Sequence, residues 1–174
     1  MQSPGALAPY RVLDLTDERA ELAAFVLAGL GADVVKVERP AAGSMRGTDD
    51  VRRHAFNRGK RSVELDLDTE HGRSRFLELV ATADFVFENA DPGAMDARGL
   101  GYDALRAVRP DLVYVAITPF GQSGPYASHL ATDLTLSAMG GAMALNGEPD
   151  RRPVRITVPQ TWYHGAVEGA LGSL

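Results

Sequence analysis

Any chemistry in this chain has to be done without cysteine. The 174 residues contain none, which removes a thiolate zinc site, an iron–sulfur cluster, a disulfide framework and a cysteine nucleophile. The four histidines, His54, His71, His129 and His164, follow no metal-ligand spacing, and no metal is expected. His164 stands in Trp162-Tyr163-His164, where it reads as a packing residue with one hydrogen bond rather than as a base. The stretch Pro119-Phe120-Gly121-Gln122-Ser123-Gly124-Pro125-Tyr126 is more informative. It is a Gly/Pro-punctuated loop directly after an apolar run, and open α/β sheets hold ligands at the carboxyl ends of their strands. By contrast, Thr16-Asp17-Glu18-Arg19 lacks the Gly-x-Gly-x-x-Gly phosphate turn, which weakens a dehydrogenase reading.

The elements that must position these residues alternate. Tyr10 to Leu15 reads as a strand, and Asp17 to Gly31 as a helix capped by Thr16 or Asp17, with Leu22, Phe25, Val26 and Leu30 at helical spacing. Asp33 to Glu38 is a second strand, stopped by Pro40. Strand, helix and strand within about 30 residues make one βαβ unit and imply a parallel sheet. A long loop is expected from Arg39 to Gly59, then a strand over Ser62 to Leu67 and a helix over His71 to Thr82. Asp84 to Asn89 reads as a strand, Pro92-Gly93 as a turn, Asp103 to Val108 as a short helix and Leu112 to Ile117 as a buried strand. Beyond the Gly/Pro loop, a small-residue helix spans Thr132 to Ala144 and a last helix runs from Trp162 to Leu174. The fold class is α/β, a Rossmann-like open parallel sheet with helices on both faces.

Composition narrows the function further. Eighteen Lys+Arg against 23 Asp+Glu give a net charge of -5, which argues against nucleic acid or an anionic membrane surface as the main partner. No apolar run approaches a membrane span, and the first nine residues lack a secretory signal. The expectation is a cytoplasmic protein. The last helix runs to the final residue without a stop signal, so the chain reads as an incomplete lobe, the front of something longer.

Five strings in order then carry a resemblance. They are Arg11-Val12-Leu13-Asp14-Leu15; Leu30 to Glu38; Asn57-Arg58-Gly59-Lys60-Arg61-Ser62-Val63-Glu64-Leu65-Asp66-Leu67; Glu88-Asn89 with Pro92-Gly93 and Gly99-Leu100-Gly101-Tyr102; and Phe120 to Tyr126. Together they resemble the class III coenzyme A transferases, the family of carnitine CoA-transferase, formyl-CoA transferase and α-methylacyl-CoA racemase. The resemblance covers about Tyr10 to Leu174. It implies that residues 1–174 form the N-terminal, CoA-binding, Rossmann-like part of a protein whose second domain is absent from this chain. Family subunits form interlocked dimers, so a homodimer or heterodimer is implied. Coenzyme A enters as part of the acyl-CoA substrate, a carboxylic acid is the acceptor, and no permanent cofactor is implied.

Residue by residue, the resemblance places Arg39 against the adenine of CoA, where a guanidinium plane can stack; otherwise it is a solvated loop arginine. Arg46, in Gly43-Ser44-Met45-Arg46, retains the arginine of a family loop but not its acidic neighbour. Lys60 and Arg61, beside Arg58, suit a CoA phosphate as point charge and fork, or else line a solvated strand entrance. Leu65 matches a leucine whose backbone touches the nucleotide, or is ordinary core. Gly121 and Gly124 serve loop geometry and close approach to the pantetheine arm.

Three departures matter. The family's Ala-Gly-Pro in the first βα turn is replaced here by Arg19-Ala20-Glu21-Leu22, which puts a carboxylate where the thioester should come close. Arg98, a further CoA-binding candidate by the resemblance, stands one place away from the family's arginine, a slip that on a helix or turn points it elsewhere. Gln160 stands where the family has its nucleophilic aspartate, and an amide is a poor nucleophile. Asp133 opens the small-residue helix, either as an N-cap carboxylate or as an acid beside the thioester. Thr132 precedes it where racemases have a catalytic His, which argues against racemase chemistry. The expected function is handling of acyl-CoA thioesters, with Asp133 and Gln160 as the catalytic candidates. The alternative is a catalytically silent CoA-binding subunit paired with an aspartate-bearing partner.

Overall fold

The computed structural model describes residues 5–40 and 51–174. Five strands, β1 (Arg11–Asp14), β2 (Asp33–Glu38), β3 (Arg61–Glu64), β4 (Phe85–Glu88) and β5 (Val113–Ala116), form one sheet in the order β3-β2-β1-β4-β5. Every pairing is parallel, with Leu13 opposite both Val35 and Val86. The order reverses between β1 and β4, and the carboxyl ends of these two strands define the crevice where such sheets hold ligands.

The central strands are apolar on both sides because helices cover both faces. Leu13, Val35, Val37 and Val86 point to one face and pack under Phe76 and Val80 of α3 (Glu70–Val80) and Leu105 of α5 (Tyr102–Val108). Met95 of the one-turn helix α4 (Ala94–Ala97) closes the same core. On the other face Val12, Val34, Phe85 and Phe87 meet Ala23, Ala24 and Leu27 of α1 (Glu21–Gly29) and Ala166 and Ala170 of α7 (Gln160–Gly172). Alanines on α1 and α7 let the two helices lie close to the sheet and to each other.

Several boundaries differ from expectation for local reasons. α1 begins at Glu21, and its N-cap, Ala20, supplies no side-chain bond. The side chains expected to cap it are used otherwise: Asp17 accepts from the N–H of Arg19 at 2.9 Å, and Thr16 donates its hydroxyl to Asp14 at 2.6 Å. Residues 17–20 therefore make a turn, not a first helical turn. The long loop expected after Arg39 contains α2 (Val51–Asn57). α2 is short and polar, and the ring of its Phe56 sits 5.9 Å from Phe25 and 5.7 Å from Tyr163. The small-residue helix stops early, as α6 (Asp133–Met139), because Gly141 takes a φ of 82° that ends it before a 3-10 turn over Ala142–Leu145. Among the described residues no helix is long and apolar enough to cross a membrane.

The turn between β3 and α3 is tightly built. Thr69 caps α3 by accepting from the N–H of Gly72 at 3.0 Å, and its own hydroxyl donates to the carbonyl of Asp66 at 2.8 Å. A Cβ on Gly72 would lie 1.8 Å from that carbonyl oxygen. Gly72→Ala is therefore expected to lower stability by about 2 kcal/mol or more, since backbone rather than a flexible side chain must yield. A urea midpoint equal to that of the unmodified chain would show that the turn moves freely.

Candidate functional site

At the switch point a cavity of about 330 Å³ opens on the carboxyl edge of the sheet. Its floor comes from the ends of four strands: Leu15 after β1, Glu38 and Arg39 at the end of β2, Leu65 after β3, and Glu88 ending β4. Met95 and Arg98, from α4 and its C-cap, form one wall, and Arg19 from the turn before α1 forms another. Three of the residues named from the sequence, Arg39, Leu65 and Arg98, thus come together although up to 59 positions separate them.

Arg98 corrects an expectation. Its one-residue slip does not turn it away, because α4 is a single turn and its C-cap position faces the cavity. Its Nε donates to Asp68 at 2.8 Å, and Arg39 Nη2 donates to the other oxygen of the same carboxylate at 3.3 Å. Asp68 thus ties two arginines together across the cavity mouth, with Arg98 first and Arg39 behind it holding its carboxyl below the usual range. Leu65 contributes its side chain. Its N–H is already engaged by the carbonyl of Glu38 at 2.8 Å.

Lys60 and Arg61 do not form the solvent-facing pair expected of them. Adjacent residues of a strand point to opposite sides. Lys60, just before β3, is buried: its ammonium donates to Asp14 at 2.8 Å and to the carbonyl of Glu21 at 3.0 Å. Arg61 lies on the outer edge, forked onto Asp33 at 2.8 and 2.5 Å. Arg46 lies outside the described residues.

The carboxylate expected to crowd the first βα turn is also elsewhere. Glu21 is buried and takes the side-chain amide of Asn57 at 3.0 Å, away from the cavity. It is Arg19 that faces the cavity. Its Nε and Nη2 grip Asp17 at 3.0 and 2.7 Å, and its guanidinium lies 5.9 Å from the centre of the Trp162 ring. Burial opposes ionisation of Asp17, but the Arg19 side chain and N–H and the amide of Asn89 hold its carboxyl below the ordinary value.

Glu88, in the Glu88-Asn89 string, has no role implied by the resemblance. It is buried beside the cavity, accepts from the N–H of Ala90 at 2.7 Å, and has the Gln122 amide at 3.5 Å. Burial raises its carboxyl above the ordinary value against the opposing bonds from Ala90 and Tyr114. The signal was present: a carboxylate ending an apolar strand at the sheet's carboxyl edge. Gly121, at φ 83°, turns the Gly/Pro loop so that Gln122 reaches back to β4.

The two catalytic candidates meet at the start of α7. Gln160 is its first residue, and Asp133, the first residue of α6, accepts the N–H of Thr161 at 2.8 Å. Pro159 gives α7 no side-chain cap, so Asp133 satisfies an otherwise orphaned donor at the positive end of a 13-residue helix. Gln160 and Asp133 are neighbours in space as well as candidates in sequence. Among the described residues no group of three or more His, Asp or Glu could hold a metal.

The model of CoA-transferase family III matches residues 7–174. The succinyl-CoA:(R)-benzylsuccinate CoA-transferase subunit BbsE of Thauera aromatica is 37% identical over 94% of this chain and 43% of its own length. The succinyl-CoA:mesaconate CoA-transferase of Haloarcula hispanica is 41% identical over 98% of this chain and 47% of its own. A crystal structure of a CAIB/BAIF family protein from Brucella suis superposes with a TM-score of 0.91 at 37% identity, over 98% of this chain and 48% of that one. The chain spans less than half the length of these relatives.

Proposed function

The chain belongs to CoA-transferase family III, and from that and the cavity at the switch point we propose that it binds coenzyme A thioesters and takes part in moving CoA between carboxylic acids. The observation that carries the reading is the convergence of Arg39, Leu65 and Arg98 on one 330 Å³ cavity from three separate segments. A guanidinium plane at Arg39 stacks on a purine, Leu65 packs on its edge, and Arg98 reads phosphate oxygens. The donor is an acyl-CoA and the acceptor a carboxylic acid, in keeping with the names of the relatives. On this reading residues 1–174 are the CoA-binding lobe.

Transfer needs a carboxylate. In the family's chemistry it attacks the thioester carbon, expels the CoA thiolate and leaves a mixed anhydride; the thiolate then attacks the enzyme's acyl carbon and releases the first acid. Gln160 cannot begin this step, because its amide nitrogen carries no available lone pair. Asp133 brings a carboxylate to the same helix start, with Oδ1 on the Thr161 N–H. We assign the covalent step to Asp133.

A second reading has its own support: Asp133 serves only as the cap of α7, and an aspartate-bearing partner supplies the nucleophile. Gln160 favours it, and one relative is named as a subunit. The test is to incubate the chain with acyl-CoA, trap with hydroxylamine or borohydride, and map the modified peptide. Modification of Asp133 is expected if the first reading holds. Bound CoA with no adduct on this chain selects the second, and no CoA binding removes both.

A further inference from the structure

A second cavity opens on the carboxyl edge of the sheet, beyond β5 and between α6 and α7, with a volume of about 460 Å³. Its character is opposite to that of the first. Ile117, Phe120, Leu136 and Trp162 make its walls, Met139 stands exposed at its rim, and Gly165 leaves room on the α7 side. His164 and Glu168, its charged or titratable lining groups, are exposed and stand at the rim. The first cavity is lined instead by three arginines and three carboxylates, Arg19, Arg39, Arg98, Glu38, Glu88 and Asp91.

The two are joined through one contact. Arg19 lines the polar cavity, Trp162 lines the apolar one, and the guanidinium of the first lies 5.9 Å from the ring centre of the second. A ligand anchored with its base on Arg39 and a phosphate on Arg98, and reaching past Arg19, leaves a charged environment and enters an apolar one. A phosphorylated, long-armed thioester has that same division of polarity, with its acyl group at the far end from its phosphates.

We propose that the α6–α7 cavity is the acyl pocket, and that the acyl group it takes has an apolar body, a medium-length alkyl chain or an aryl group, rather than a short dicarboxylate. The proposal rests on the reading of the first cavity as the CoA site. Small acids with two charges find no buried cationic partner in this lining. An apolar acyl group finds aromatic and aliphatic walls of the size and kind that small-molecule pockets have.

The test is competition binding on the full chain with CoA, acetyl-CoA, succinyl-CoA, hexanoyl-CoA and phenylacetyl-CoA. Each methylene moved from water into an apolar wall is worth roughly fourfold in affinity. Hexanoyl-CoA and phenylacetyl-CoA are therefore expected to outcompete acetyl-CoA and succinyl-CoA by about tenfold or more. Gly165→Leu should fill the pocket, since a Cβ there meets only Ile117 Cγ2, at 4.0 Å. It is expected to abolish the preference and leave affinity for CoA itself unchanged. Met139→Glu, at an exposed rim position, is a second variant that adds charge instead of bulk and should have the same effect. Equal affinity for all the thioesters, or a preference for succinyl-CoA, with CoA still bound, overturns the acyl pocket alone. Failure to bind CoA or any thioester overturns the CoA site with it.

Discussion

Lys60→Met is expected to lower the stability of the fold by about 3–5 kcal/mol, the cost of stranding a buried charge by removing its partner. Asp14 is fully buried at the end of β1, and Lys60 is 1% exposed above it. The carboxylate has three side-chain partners: Lys60 at 2.8 Å, Lys36 at 3.3 Å and the Thr16 hydroxyl at 2.6 Å. Methionine replaces the lysine stem but not its charge, leaving Asp14 with the Thr16 hydroxyl and one ammonium, that of Lys36, in place of two. Adding Asp14→Asn should recover part of the loss, because it removes the stranded anion. Chemical denaturation of the three variants checks both statements, and a single variant as stable as the unmodified chain would overturn the assignment.

The same carboxylate predicts the acid limit. Burial alone would raise Asp14, but the ammonium groups of Lys36 and Lys60 and the bonds from Lys60 and Thr16 outweigh it and hold the carboxyl below 3.8. Burial draws Lys60 down from the ordinary lysine value; the depression of Asp14, which has the greater number of partners, governs the acid side. A depressed carboxylate stabilises the fold in full above its unfolded value and loses that contribution as pH falls through the folded one. Stability should therefore fall below about pH 3.8, and Asp14→Asn should flatten that fall. For the same reason, loss of CoA binding in a Lys60→Ala variant would follow from loss of the fold. Arg61 alone, on the exposed edge, tests the phosphate role.

Arg98→Ala is expected to weaken CoA binding by about tenfold to a hundredfold, the range for one charge-assisted bond to a phosphate. Arg39→Ala should do less, because its side chain is 64% exposed against 26% for Arg98. Both arginines are engaged by Asp68 before any ligand arrives. A phosphate has to displace that carboxylate, so Asp68→Asn should shift affinity the other way, tightening CoA by roughly threefold. Calorimetric titration of the full chain with CoA decides. Unchanged affinity in Arg98→Ala removes the phosphate assignment, and weaker binding in Asp68→Asn would make Asp68 a ligand contact instead of a competitor.

The backbone of this fold was readable because its signals are local. Runs such as Asp33 to Glu38 and Asp84 to Asn89 are apolar enough to mark strands buried on both faces, and the intervening lengths demand parallel crossovers. α2 was missed because Val51–Asn57 carries no amphipathic stripe; the anchor Phe56 depends on Phe25 and Tyr163, far away in sequence. The site was half readable for a similar reason. The resemblance carried by motif order pointed to Arg39 and Leu65, and both line the cavity. Nothing local distinguishes Lys60 from Arg61, yet one is sealed against Asp14 and the other left on the edge, because strand pleat and the position of α1 decide it. Asp68 was invisible until the β3–α3 turn set it between two arginines.

Trp162 is the sole tryptophan among the 174 residues, and it stands between the two cavities with a guanidinium over its ring. That makes it a built-in optical probe. Its emission depends on how closely Arg19 approaches and on whether water or ligand fills the apolar side, so filling either compartment should register on one fluorophore. A headgroup fragment such as 3′,5′-ADP reaches only the Arg19 side, whereas an intact thioester reaches both. Their spectra should therefore differ in shape as well as intensity, and the difference can be followed in time without attaching a label.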